Sequence, residues 1–291
     1  MSTWYGARVN ALVLGAGGQL GSELVRLLGE GAGVSHRELS VTDLVSLHGL
    51  IDDRRPSIVF NCAAYNAVDR AETEPALARL VNSEGALNAA VACKRLGVRL
   101  VHFSTNFVFD GRLDRPYVES DQPAPLGAYA KSKLEGERAV LSALPQALVV
   151  RTAALFGSQG SAIRGGSFPE RILKRAQLGE RLRVVADQRV NPTYAFDLAA
   201  AAMRLAESDL DGVVHVVAAG CCGWDDFARA ILDESGVAGE VESVSSADLA
   251  APALRPLNGC LVSSRVAALR PWREGLREWV ERRAEPHRVD P

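Results

Sequence analysis

Short apolar runs alternate with helix-period patterns through the first half of the chain. Val9–Leu14 predicts a strand, after which Leu20, Leu24, Leu27 and Leu28 share one helical face. Ile58–Phe60 predicts a second clear strand. Pro75 stands where a first helical turn would place it. It opens a long helix with apolar positions at Leu77, Leu80, Val81, Leu87, Val91 and Leu96, and Gly97 as its stop. Val98–Phe103, Tyr129–Leu144 and Ala147–Val150 continue as strand, helix and strand. The weak link is Gly33–His36, which is short and barely apolar. Such alternation predicts right-handed crossovers and an α/β fold with a doubly wound parallel sheet.

The rhythm breaks near Gly157. Gly157–Gly166 is rich in Gly and Ser and predicts a loop. Phe168–Ala176, Leu182–Val185, Ala195–Ala206, Val213–Val217 and Trp224–Leu232 read as further helices and strands. Asp248–Gly259, with Pro252 and Pro256, reads as irregular. Trp272, Leu276 and Trp279 mark a last helix, their spacing that of a packing stripe, before a frayed tail over Ala284–Pro291. The pattern divides into a larger domain over residues 1–156 and about 187–222, to which the motifs below assign nucleotide binding, and a smaller domain over about 157–186 and 223–291, left for the substrate.

Composition narrows the function. A chain of 291 residues, 47% hydrophobic, holds roughly two domains and can bury a large core. Lys+Arg 33 against Asp+Glu 35 creates no broad cationic field, which argues against nucleic acid or an anionic membrane as the main partner. No apolar run reaches the ~18–20 residues of a membrane helix. The five cysteines are odd in number and scattered, with no C-x-x-C pair. That argues against a disulfide framework or a zinc site, assigns no reactivity to Cys221-Cys222, and predicts a reducing, cytoplasmic setting. His102 and His215 fall inside strand-like runs, as core or edge residues.

Candidate chemistry begins at Gly15-Ala16-Gly17-Gly18-Gln19-Leu20-Gly21, between the first strand and the first helix. Glycines at 15, 18 and 21 let the backbone turn tightly and approach a pyrophosphate, and the helix N-terminus offers it free N–H groups. The context is that of a Rossmann dinucleotide site. Further on, His36 and Arg37 suit the 2′-phosphate of NADP(H), whereas Glu38 suits the 2′-hydroxyl of NAD(H).

A second motif is Tyr129-Ala130-Lys131-Ser132-Lys133. Residues four apart on a helix share a face, so the Tyr129 hydroxyl and the Lys133 ammonium can enter one cleft. Reducing a ketone needs hydride at carbon and a proton at oxygen. A phenol near pKa 10 exchanges protons poorly at neutrality unless an adjacent ammonium favours its phenolate. Thr105, at a strand end, can hold the carbonyl oxygen.

With these motifs in this order, the chain resembles an extended short-chain dehydrogenase/reductase, and more narrowly the dTDP-4-dehydrorhamnose reductase family. The similarity runs from about Arg8 to Trp279. It is most specific at Gly18–Gly21, Asn61–Tyr65, Val68-Asp69, Ser104–Gly111, Tyr129–Glu137, Arg151-Thr152, Pro192-Thr193 and Arg255-Pro256. The resemblance implies NADPH-dependent reduction of the 4-keto group of a nucleotide-linked deoxysugar. Tyr129 would be the acid, Lys133 would bind the nicotinamide ribose and tune Tyr129, and Thr105 would bond the ketone. Gly15, Gly18, Gln19 and Leu20 would line the pyrophosphate, Arg37 the adenosine side, and Ala63, Ala64 and Tyr65 the cofactor ribose. Thr105, Asn106, Phe107 and Arg151 would face the sugar, as would the Asp187–Thr193 segment. Family members can hold magnesium at a dimer contact. Its acidic ligands are not matched here, so no metal is expected, and a homodimer is left open.

Three departures bear on the substrate. Asn106-Phe107 stands where the family usually has Asp-Tyr, Ala154 where a Trp is frequent, and Gly259 where a Ser usually follows Arg-Pro. A reductase for a related 4-keto sugar is therefore an alternative. Asn106-Phe107 cannot exchange the protons that a 4,6-dehydratase needs. A 4-epimerase, or a non-catalytic NADP-binding regulatory subunit like the beta subunit of methionine adenosyltransferase, stays open.

Overall fold

A computed structural model describes residues 10–157 and 166–284. The loop expected over Gly157–Gly166 and the tail over Ala284–Pro291 lie almost wholly outside the described residues, as does Val9. The first half runs β1 (Ala11–Leu14), α1 (Gln19–Leu28), β2 (Gly33–Val34), α2 (Leu44–Arg54), β3 (Ile58–Asn61), α3 (Pro75–Arg79), α4 (Gly85–Leu96), β4 (Arg99–Thr105), α5 (Ala128–Ala143) and β5 (Leu148–Thr152). Then come β6 (Leu155–Phe156), α6 (Phe168–Gln177), β7 (Leu182–Val185), β8 (Arg189–Val190), β9 (Thr193–Tyr194), α7 (Ala195–Ala206) and β10 (Gly212–His215). The chain closes with β11 (Ala218–Ala219), β12 (Cys222–Gly223), α8 (Trp224–Ser235), β13 (Val241–Val244), α9 (Ser246–Leu249), β14 (Leu269–Pro271) and α10 (Trp272–Ala284).

Six strands form one parallel sheet in the order β10-β5-β4-β3-β1-β2. It is apolar on both faces, as a parallel sheet covered by helices must be. One face buries Val13, Phe60, Val101 and Val150 under Leu20 and Leu24 of α1 and Leu198 and Ala202 of α7. The other buries Leu12, Val59, Leu100 and Val149 under Leu47 and Ile51 of α2, Ala89 and Ala90 of α4 and Val140 of α5. A third core, between α6, α8 and α10, includes Phe227, Ile231, Trp272, Leu276 and Trp279, so the two tryptophans do pack. The chain leaves the sheet after β5 and returns to it with α7 and β10. His102 and His215 are buried strand residues.

Two expectations about packing are corrected. The helix predicted from Pro75 contains a π-helical segment, Leu80–Glu84, between α3 and α4. Its leucine stripe is the wrong face: Leu77, Leu80 and Leu87 are exposed, while Ala78, Asn82, Ser83, Gly85, Ala86 and Ala89 are buried. Small residues face α5 because the two helices approach closely; a Cβ at Gly136 would lie 2.1 Å from the Asn82 carbonyl oxygen.

The other correction concerns the cysteines: Cys221 and Cys260 form a disulfide, Cα to Cα 6.1 Å. Buried Asn191 brings them together. Its Nδ2 donates to the carbonyls of Ala218 and Gly220 at 3.2 and 2.9 Å, and its Oδ1 accepts the Leu261 N–H at 2.8 Å. The partners are 39 residues apart, so spacing gave no hint. Reduction, or Cys260→Ser, is expected to lower unfolding stability by about 2–4 kcal/mol. Urea midpoints with and without reductant will read this, and coincident midpoints would refute it.

Candidate active site

The site is built at the carboxyl ends of β1, β3, β4 and β5, where open parallel sheets bind their ligands. After β1 the chain turns at Gly15 (φ +79°), and the Gly15 and Ala16 N–H groups donate to the Val34 carbonyl at 3.0 and 3.1 Å. A Cβ at Gly15 would lie 2.7 Å from the Ala63 nitrogen, and one at Gly21 2.3 Å from the Gly15 oxygen. Glycine here is a steric requirement: the turn is pressed between the loop after β3 and the start of α1. Gly18 caps α1, and no side chain satisfies the helix's first turn. Its N–H groups and dipole therefore suit a phosphate, and Gly17 faces open space.

Beyond β2, Arg37 is exposed and the Glu38 carboxylate accepts the Ser35 N–H at 2.8 Å. That bond and the Ser35 hydroxyl hold Glu38 below its ordinary pKa. The acid thus closes its own turn and leaves the guanidinium as the available polar group.

After β3, Asn61 accepts the Ala63 N–H at 3.2 Å and meets His102 at 3.2 Å. Tyr65 turns its hydroxyl onto Glu74 and packs beside Ala67, Ala71 and Tyr129. Its backbone is held at both ends by Asn82 from the π segment, which accepts the Tyr65 N–H and donates to its carbonyl, both at 2.9 Å. Asn82 also donates to Ser132 at 3.0 Å, and Ser132 donates to the Tyr129 carbonyl at 2.8 Å. Asn82 was missed in the sequence. The available signal was an Asn-Ser pair in the middle of a long helical stretch, and π segments recur at functional sites.

Tyr129 lies in the first turn of α5, edge-on to Phe107 with ring centroids 5.8 Å apart. Lys133, one turn further, is 2% exposed and donates to the Phe103 carbonyl at 2.7 Å. Burial lowers its pKa to about 8, opposed by the Glu137 charge. Because the folded value is below the unfolded one, the charged form destabilises the native state at neutral pH, and the penalty fades as pH rises from about 8 toward 10.5. Lys133→Met is expected to add about 1–3 kcal/mol of stability at pH 7 and much less at pH 10. Denaturant melts at both pH values test this, and equal gains would contradict it.

Thr105 ends β4. Its Oγ1 accepts the Phe107 N–H at 3.2 Å and donates to Asn106 Oδ1 at 3.3 Å. Asn106 is buried and donates through Nδ2 to the Gly259 carbonyl at 2.9 Å. A Cβ at Gly259 would fall 2.4 Å from that nitrogen. Two of the departures seen in the sequence are thus one packing unit, an amide occupying the room a side chain at 259 would take. Ser104 Oγ and Thr152 Oγ1 are buried at the same strand ends without a partner among the described residues. Ala154 adopts φ +42°, a left-handed backbone just after β5.

Arg151, expected to face the sugar, is 3% exposed and bound to the Glu137 carboxylate, Nε to Oε1 at 2.9 Å and Nη2 to Oε2 at 2.7 Å, with Nη1 lacking a partner among the described residues. Burying a guanidinium requires such a partner. Among the described residues, no group of His, Cys, Asp and Glu is able to hold a metal and no helix is long and apolar enough to cross a membrane.

Residues 9–285 match the family model described as "RmlD substrate binding domain". The chain belongs to this RmlD family. It is 40% identical over 282 residues to dTDP-4-dehydrorhamnose reductase of Mycobacterium tuberculosis, covering 91% of this chain and 90% of that one. It is 40% identical over 283 residues to a probable dTDP-4,6-dihydroxy-2-methyloxan-3-one 4-ketoreductase of Streptomyces antibioticus, covering 92% and 93%. The dTDP-4-dehydrorhamnose reductase of Bacillus anthracis, solved in complex with NADP, superposes with a TM-score of 0.89 at 32% identity, covering 94% and 98%. As an RmlD family member the chain is an NAD(P)-dependent enzyme of the dTDP-4-keto-deoxysugar reductases.

Proposed function

We propose that this enzyme uses NADPH to reduce the 4-keto group of a dTDP-linked 6-deoxysugar, with dTDP-4-dehydrorhamnose, giving dTDP-L-rhamnose, as the first substrate to test. The observation that carries the reading is Tyr129 and Lys133 on one face of α5, with Phe107 and Tyr65 on either side and Lys133 anchored to Phe103. A bound reduced nicotinamide supplies the hydride. The glycine turn and the first turn of α1 receive the pyrophosphate, and Arg37, with Glu38 turned onto Ser35, favours a 2′-phosphate. Ala63 and Ala64 border the ribose. Thr105 rotates its hydroxyl from Asn106 to the ketone oxygen, Tyr129 delivers the proton to that oxygen, and the Lys133 ammonium stabilises the phenolate left behind.

A sibling 4-keto sugar is the second reading, favoured by the Asn106–Gly259 unit beside Thr105. A site that bonds particular hydroxyls discriminates sharply, so changed polar groups there mean a changed sugar. The deciding experiment offers the purified protein dTDP-4-keto-6-deoxyglucose, a 3,5-epimerase and NADPH, and identifies products by mass. A dTDP-rhamnose product supports the first reading. Turnover of another keto sugar without it supports the second. NADPH binding with no turnover of any keto sugar, in wild type and Tyr129→Phe alike, leaves only a regulatory role.

A further inference from the structure

Tyr129, Lys133 and Glu137 follow one another at four-residue spacing along α5 and so line one face, a turn apart. Lys133 and Glu137 are each 2% exposed. Arg151 answers Glu137 from β5 through two parallel bonds and lies 5.1 Å from the Phe109 ring centroid. Lys133 is anchored separately, on the Phe103 carbonyl.

We propose that Glu137 is a positioning residue for this reaction: its carboxylate, clamped by Arg151, keeps the Lys133 ammonium charged in the dry space beside Tyr129. The inference rests on the roles given to Tyr129 and Lys133 above.

An ammonium buried in apolar surroundings tends to lose its proton, and only a nearby anion reverses that tendency. The titratable and charged groups around Lys133 are Cys62 from the end of β3, His102 from β4, Tyr129 and Glu137 on α5 itself, and Arg151 from β5 behind Glu137. Burial raises the Cys62 thiol, so it stays protonated, and burial holds the His102 imidazole neutral. The counter-charge therefore falls to Glu137. Arg151 has a second effect. Its two bonds fix the Glu137 carboxylate in place, while the Lys133 ammonium makes its own bond to the Phe103 carbonyl. An ammonium has three hydrogens and Phe103 takes one, so two remain for the ribose and the phenol side.

The test reads Lys133 directly. The chain has only four lysines, Lys94, Lys131, Lys133 and Lys174, so a 13Cε-lysine NMR titration of the full chain resolves them, and Lys133→Arg assigns the signal. In Glu137→Gln the Lys133 midpoint is expected to fall by about one pH unit or more. The alkaline limb of the kcat/KM profile for keto-sugar reduction should move the same way. Glu137→Asp, which keeps the charge, should recover about half of the shift or more. Should Glu137→Gln not fold, Glu137→Gln/Arg151→Met also removes the guanidinium that the single variant leaves buried without its partner and is expected to fold, with a midpoint still below wild type. An unmoved midpoint in the folded variant overturns the proposal, because a purely structural ion pair would lower stability without shifting Lys133. A wild type that turns over no keto sugar fails the functional reading instead, and the titration separates the two failures.

Discussion

Tyr129→Phe is expected to lower kcat for keto-sugar reduction by about 10²–10⁴-fold while leaving the Kd for NADPH close to wild type. The phenol removed is the group assigned to protonate the developing alkoxide. The phenyl ring that remains still fits against Phe107 and the Tyr65 cluster. Stopped-flow reduction with product analysis, paired with NADPH fluorescence titration, separates chemistry from binding. Full activity in the variant would remove Tyr129 from the mechanism and turn attention to the Thr105 hydroxyl or a bound water.

The second large effect is on stability. Arg151→Met is expected to lower unfolding free energy by about 3–5 kcal/mol, because it leaves the Glu137 carboxylate buried without its cation. The KM for the sugar should change little. Urea melts and steady-state kinetics on the same preparation test both halves. A stable variant with a steeply raised sugar KM would restore Arg151 to the substrate side and sink its assignment as an internal partner.

The contrast between these two residues shows which parts of the site can be read along the chain. Tyr129 and Lys133 carry their relation in their spacing, since a helix brings residues four apart onto one face. The glycine turn is equally legible: strand, turn and helix are consecutive, and Gly21 is required by Gly15 and Ala16 of the same segment, although the atoms that crowd Gly15 come from Cys62 and Ala63 after β3. Arg151 carries no such mark. Its partner lies across a strand–helix connection, and an arginine at the end of β5 reads from sequence as a ligand for the substrate. The third member of the α5 series, Glu137, was visible at the same spacing, but a glutamate on a helix is ordinarily a solvated one.

Other features depended on tertiary packing. The stripe Leu77, Leu80 and Leu87 obeys helical period and still faces outward, because α4 and α5 need small side chains between them. α2 was overlooked although Asp43 caps it, accepting the Ser46 N–H at 3.1 Å, and Leu47 and Ile51 sit one turn apart. The Cys221–Cys260 link joins segments that are brought together on either side of Arg189–Asn191. The Asn106–Gly259 contact spans 153 positions, so two separate oddities of sequence become a single one only in three dimensions.

The return of the chain to the sheet with α7 and β10 has an engineering consequence. A fragment ending after β5 would expose Val149 and Val150 along an unpaired edge and strip Leu20 and Leu24 of their cover. The first half of the sheet is therefore not a detachable module, and grafting a foreign second half onto it by simple end-to-end fusion would yield an aggregating chimera. Altered sugar preference has to be sought by replacing side chains in place, around 106 and 259 first, within an uninterrupted chain.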